Sequence, residues 1–256
     1  MEIITSNQNK RIKNLQALKS RSKLRRETHT FIVEGIKMVR EAAGLRLLTE
    51  AYMTEEMANT LSAEDLGCEC FCVPDKLMKE ISDTETPQGI LAVCKEAQHP
   101  PLAEILKRDF LRLLILEDVR DPGHLGTMIR TSEAAGIDAV IMSKGTADMY
   151  SPKVTRSTMG SIFRVPCYYE ENLSALLKDL AASGVVTYAA HLRGESYHNE
   201  VSYPAKAGVI IGNEANGISD EVASLAGQLI KIPMEGKVES LNAAIAAVIM
   251  MYAMKK

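Results

Sequence analysis

"LRLLILEDVRDPGHLGTMIRTSEAAGIDAVIMS", Leu111 to Ser143, contains a complete strand–helix–strand unit. RLLILEDV is apolar over the length of a strand and gives way to an acidic, glycine-bearing turn. HLGTMIRTSEAAG follows with apolar residues at helical spacing and stops at Gly136, a residue type that commonly closes helices. IDAVIMS is a second strand. The alternation continues to the end of the chain. Helices are predicted over SPKVTRSTMGSIF (with Pro152 just after Ser151), ENLSALLKDLAASG, SDEVASLAG and SLNAAIAAVIMMYAM, and strands at VVTYAAH, AGVIIGNE and QLIKIPM. Strands alternating with helices predict an α/β domain whose mostly parallel sheet is covered on both faces.

Upstream, SNQNKRIKNLQALKSR reads as a helix with Ser6 as its cap and Ile12, Leu15 and Leu18 as a narrow apolar stripe. TFIVEG is a short strand, and IKMVREAAG is a helix closed by Gly44. LRLLTEAYMT, ECFCVP and GILAVCKE supply further strands, which makes a small α/β unit. KEAQHPPLAEILKRD is polar and carries Pro100 and Pro101, as a linker would. The expected organisation is a domain over 1–97, a linker over 98–109 and a second domain over 110–256.

The chain has 256 residues, 46 % of them apolar and none of them Trp, so a sizeable and mainly aliphatic core is expected. Its most apolar segment, Ser240 to Met254, is shorter than the roughly 20 residues that span a bilayer. The first residues, MEIITSNQNKRIKN, have no apolar stretch of the signal-peptide kind. Cys68, Cys70 and Cys72 alternate on one strand face without C-x-x-C spacing or neighbouring histidines, so they read as small core residues rather than metal ligands. A reducing, cytoplasmic compartment and no membrane or metal are the expectation.

Charge is unevenly spread. Lys10, Arg11, Lys13, Lys19, Arg21, Lys23, Arg25 and Arg26 fall in one stretch with no acidic residue among them, so a whole-chain charge of −3 leaves −11 for the remainder. A stretch this one-sided repels itself unless an anion sits nearby, and phosphate is the common anion. Lys10, Arg11, Lys13, Arg21, Lys23, Arg25 and Arg26 are therefore the candidate nucleic-acid contacts.

The second domain lacks both common phosphate fingerprints. The glycines of DPGHLG are three apart, which does not fit G-x-G-x-x-G, and no G-x-x-x-x-G-K-[ST] occurs. Its loop-rich strand ends are DVRDPGHLGTMIR, GNEANGIS and IPMEGKVESLN, and ligands of open α/β sheets sit beyond the carboxyl ends of strands. These three segments, in this order, resemble the three signature motifs of the SpoU/TrmH family of RNA 2′-O-ribose methyltransferases. SNQNKRIKNL and FIVEGIKMVREA resemble the substrate-binding domain that precedes many family members.

The resemblance implies a SPOUT domain with a deep trefoil knot behind a small RNA-binding domain. It also implies a homodimer and S-adenosylmethionine as methyl donor. Gly212, Ile232, Met234 and Leu241 would form the cofactor pocket, with Gly212 letting a ligand lie against the backbone. Arg130 would hold a substrate phosphate beside the ribose 2′-hydroxyl, and Glu214, Ser240 and Asn242 would form a hydrogen-bond network fixing Arg130, the cofactor and the ribose. Without the motif, Arg130 reads as a surface partner of Glu133 and Ser240 as the cap of the last helix. Arg156 and Ser157 are further positions that could face RNA or a partner subunit.

One position departs from the family: His124 stands where it usually has Asn, six residues before Arg130. The implied reaction is methylation of a ribose 2′-oxygen in structured RNA, with ribosomal RNA ahead of transfer RNA. The rival, which His124 motivates, is a non-catalytic RNA-binding or ribosome-assembly protein of the same fold.

Overall fold

The computed structural model describes residues 1–238 and 240–255. Glu239 and Lys256, both within the span 110–256, lie outside the described residues. The chain divides into two compact units, one of 1–98 with 148–163 and the other of 99–147 with 164–256.

The first unit runs β1 (Glu2–Ile3), α1 (Lys10–Ser20), α2 (Ser22–Thr28), β2 (Thr30–Glu34), α3 (Ile36–Gly44), β3 (Leu48–Met53), α4 (Glu55–Ala58), α5 (Ala63–Leu66), β4 (Glu69–Cys72), α6 (Asp75–Ile81) and β5 (Ile90–Lys95). The strands form one mixed sheet in the order β1-β4-β3-β5-β2. Successive residues of β2 serve opposite faces: Phe31 and Val33 join Met38, Val39 and Ala42 of α3, while Ile32 joins Ile12, Leu15 and Leu18 of α1. The stripe read from the sequence is thus the buried face of α1. Its cap is Asn9, whose side chain accepts from Arg11 N, whereas the Ser6 hydroxyl accepts from Gln8 N in the preceding turn. Cys70 is buried, while Cys68 and Cys72 are only half-buried.

The second unit begins with α7 (Leu102–Ile105), which lies inside the expected linker and buries Ile105. Then come β6 (Leu111–Leu116), α8 (Pro122–Ala135) and β7 (Ala139–Ser143). Residues 148–163, with α9 (Pro152–Thr158), group with the first unit because Tyr150 and Phe163 pack on Phe31, with ring centroids 4.6 and 6.2 Å away. The second unit resumes with β8 (Cys167–Glu170), α10 (Leu173–Ala182), β9 (Val186–Ala190), β10 (Ser196–Tyr197), β11 (Lys206–Ile211), α11 (Asp220–Leu225), β12 (Gln228–Lys231) and α12 (Ala243–Ala253).

Its seven strands pair in parallel throughout, in the order β10-β12-β9-β11-β6-β7-β8. The short strands β8 and β10 carry no apolar run and sit at the two edges, which is why sequence pattern passes over them. Leu173, Leu176, Leu177 and Leu180 of α10 and Val222 of α11 cover one face of the sheet. On α12, Ala244, Ala247, Met250 and Met251 are buried, and the Ser132 hydroxyl of α8 lies 3.4 Å from Met251 Sδ. The buried Arg112 guanidinium donates to Met254 O, Pro204 O and Ala205 O at 2.8–2.9 Å, tying the end of α12 to the segment entering β11. Among the described residues no helix is long and apolar enough to cross a membrane.

Candidate active site

Parallel strands aim their carboxyl ends the same way, and chain order on this sheet reverses between β11 and β6, where a crevice is expected. A cavity of about 360 Å³ opens at the ends of β9, β11 and β12. Ile211 to Ile218 line it after β11, Ile232 and Met234 after β12, and Ser240, Leu241, Ala243 and Ala246 around the start of α12. Three of the expected cofactor residues, Ile232, Met234 and Leu241, are half-buried and present apolar surface to this space. Sequence reasoning missed His191 and Leu192, which line the cavity beyond β9. The signal was available, because they end a strand of the same parallel set.

Gly212 borders the cavity, and its lack of a side chain also meets a need of the chain itself. A Cβ there would overlap the Gly217 carbonyl, so the glycine is what permits the tight 213–217 turn at the cavity's edge. The turn is closed by backbone hydrogen bonds between Asn213 and Gly217 in both directions, with Gly217 at φ 68°. The Asn213 side chain accepts from Ala215 N and Asn216 N and donates to Asp118 O, 2.8 Å away. Asp118 is itself held at φ 53°, a conformation that non-glycine residues seldom adopt.

Glu214 projects from this turn onto the start of α8. Its carboxylate accepts from Asp121 N at 2.9 Å, from Arg120 N at 3.1 Å and from His124 Nδ1 at 3.1 Å. Burial by itself would raise the carboxyl pKa; the hydrogen bonds outweigh it and hold the group below its usual range, so Glu214 is an anion near neutrality. On its other side the His124 ring meets Asn242, with Nε2 2.7 Å from Nδ2. Asn242, not Ser240, caps α12, its Oδ1 accepting from Ala244 N and Ile245 N. Ser240 lines the cavity. The network of Glu214 and Asn242 therefore closes on His124.

Arg130 stands outside that network. It is exposed on α8 and makes no side-chain hydrogen bond or ion pair among the described residues. Glu133, the partner a surface reading would give it, takes a two-pronged bond from Arg164 Nε and Nη2 at 2.5 and 2.9 Å. Among the described residues no three His, Cys, Asp or Glu side chains are grouped to hold a metal ion.

The basic residues of the first unit divide into two kinds. Lys10, Lys13, Arg21, Lys23 and Arg26 are exposed, Lys23 being loosely paired with Glu27 at 3.7 Å. Arg11 is engaged by Glu50 and Glu69 and lies over the Phe71 ring. Arg25 is 4 % exposed, grips Asp148 through Nε and Nη2 at 3.0 and 2.6 Å, and donates to Leu18 O and Lys19 O. Burial with every prong occupied makes Arg25 a structural clamp and not a phosphate contact. Arg156 is likewise paired, with Asp83, and the half-buried Ser157 donates its hydroxyl to Lys153 O.

Residues 112–252 match the SpoU rRNA Methylase family. The chain belongs to that family. Residues 9–92 of this SpoU protein also match the MRM3-like substrate binding domain. Among curated proteins it is 33 % identical to the 23S rRNA (guanosine(2553)-2′-O)-methyltransferase of Bacillus subtilis, over 98 % of each chain. Among solved structures, an rRNA methyltransferase from Sinorhizobium meliloti matches with a TM-score of 0.87 at 32 % identity, over 99 % of this chain and 96 % of that one. The SpoU methyltransferase AviRb from Streptomyces viridochromogenes, in complex with AdoMet, matches with a TM-score of 0.82 at 26 % identity, over 96 % and 97 %. The fold is that of the SPOUT methyltransferases, and the chain is an enzyme of that class.

Proposed function

We propose that this protein transfers a methyl group from S-adenosylmethionine to a ribose 2′-hydroxyl of ribosomal RNA. The observation that carries the reading is the cavity at the ends of β9, β11 and β12, walled by Ile232, Met234 and Leu241 and floored by the 213–217 turn. Its volume falls in the usual range for small-molecule sites, and apolar walls with polar backbone edges suit a nucleoside. When bound, S-adenosylmethionine supplies a methyl group already activated by a sulfonium, so alignment with the ribose oxygen supplies much of the rate.

The chain's own groups would do the aligning. Arg130 is free to take an RNA phosphate and hold the ribose in place; a guanidinium keeps its proton in proteins, so it anchors better than it accepts one. Glu214 keeps the α8 turn in position, and Ser240 and Asn242 set the entry to α12. Lys10, Lys13, Arg21, Lys23 and Arg26 would hold the RNA by neutralising phosphates.

Two features of the assembly belong to the same reading. Ile245 and Tyr252 of α12 are 50 % and 46 % exposed, with Ile249 half-buried between them, a helical stripe that a second copy would cover in a two-fold dimer. The C-terminal segment is threaded as a trefoil knot, as the family resemblance implies. Five free cysteines accord with a cytoplasmic site of action.

The test is incubation of the purified protein with tritiated S-adenosylmethionine and ribosomal RNA from a strain lacking it. Label retained as a ribose 2′-O-methyl is expected. Tight RNA binding with no label would favour the non-catalytic assembly protein, and label on transfer RNA alone would move the substrate.

A further inference from the structure

His124 touches all three loops that build the site. It belongs to α8, its Nδ1 faces Glu214 of the 213–217 turn, and its Nε2 faces Asn242 at the start of α12. These contacts span 90 and 118 residues of sequence. The direction of each is fixed by its surroundings. Glu214 is a carboxylate held ionised, so it can only accept, and Nδ1 must carry a proton. Asn242 cannot turn its amide round, because Oδ1 is bound to Ala244 N and Ile245 N as the cap of α12. Its NH₂ group therefore points at His124, and Nε2 must be a bare acceptor.

We propose that His124 is a positioning residue that works only as the neutral Nδ1–H tautomer, locking the cofactor-cavity loops to one another. The inference rests on the methyltransferase reading above and deepens it. An amide at this place would supply one donor and one acceptor by its covalent structure. Imidazole supplies the same pair only while Nε2 is unprotonated.

A second proton would set N–H against N–H at Asn242 and release the 240–242 segment, whose Ser240 and Leu241 line the cavity. The charged groups around the ring are Glu214 and, from α8's own first turn, Asp121, which accepts from His124 N at 2.8 Å. Arg120 contributes its backbone N–H to Glu214, and its side chain reaches toward Asp118 instead, 4.0 Å away. Attraction to Glu214 survives protonation, so the change between the two states lies at the Asn242 contact. Loss of grip on the methyl donor follows uptake of that second proton.

The experiment has a readout independent of turnover. Long-range ¹H–¹⁵N correlation on ¹⁵N-histidine protein should show His124 as the Nδ1–H tautomer wherever calorimetric affinity for S-adenosylmethionine is highest. An Nε2–H tautomer or an imidazolium there would overturn the proposal. Asn242→Asp replaces the donor facing Nε2 with an acceptor. It should turn His124 into an imidazolium under conditions where the natural protein shows the neutral ring; an unchanged neutral ring would overturn it too.

His124→Leu should weaken S-adenosylmethionine binding about tenfold, with KM rising more than kcat falls. His124→Gln should recover most of that affinity and flatten the acidic limb of the pH profile. A Leu variant with natural affinity, or a Gln variant no better than Leu, counts against the proposal. Absence of any S-adenosylmethionine binding by the natural protein would instead sink the methyltransferase reading, since the tautomer is measured without the donor.

Discussion

Removing the Glu214 carboxylate should loosen the α8 turn by a calculable amount. It accepts three hydrogen bonds, from Asp121 N, Arg120 N and the His124 ring. Hydrogen bonds to a charged partner contribute about 1.5–3 kcal/mol each where water is excluded. The side chain is 23 % exposed, so water reclaims part of the loss; halving the sum leaves a cost of about 2–4 kcal/mol for Glu214→Ala. In a unit of this size that lowers the melting temperature by roughly 4–16 °C. The local readout is sharper: amide exchange at Arg120 and Asp121 should speed up selectively. The pH dependence has a definite sign. The folded carboxyl titrates below the usual range of a glutamate, so its stabilisation is complete above that range and is lost as the pH falls through the lower folded value. The advantage of the natural protein over Glu214→Gln should accordingly be full at neutrality and vanish in acid. Unaltered exchange at both amides, or a stability change under about 0.5 kcal/mol, would refute the bonding pattern and the electrostatic argument built on it.

Other outcomes can be stated more briefly. Arg25→Met should cost about 3–5 kcal/mol by stranding Asp148, measured by denaturant unfolding. In contrast, Lys13→Ala and Arg26→Ala should leave stability unchanged and each reduce the salt dependence of RNA binding by about one unit of log–log slope. Arg130→Ala should keep calorimetric affinity for S-adenosylmethionine and lose about 100-fold or more in turnover; natural turnover would remove Arg130 from the mechanism. Ile245→Asp with Tyr252→Asp should sediment as a folded monomer, and an unchanged dimer would place the interface elsewhere.

Much of the architecture is written locally. The apolar runs of β6, β7 and β11 and the glycine stop after α8 depend on neighbours within a few residues, so periodicity alone reads them. The three loops at strand ends were legible for the same reason, because parallel α/β order dictates which ends share a side of the sheet. What a residue does inside those loops depends on partners far along the chain. Arg25 has the same local signature as Arg26, yet it is buried against Asp148, 123 residues away, while its neighbour meets solvent. Gly212 reads locally as room for a ligand, and only the turn that folds back over it shows the steric need it meets. Asn242 displaced Ser240 as the helix cap because the last helix begins at Ala243, a boundary that the uninterrupted apolar run conceals. His124 showed in the sequence only as a departure from a pattern. Tertiary structure alone brings Glu214 and Asn242 to its two nitrogens and so decides which of them can carry a proton, since hydrogen-bond direction is a property of the assembled neighbours and not of the residue.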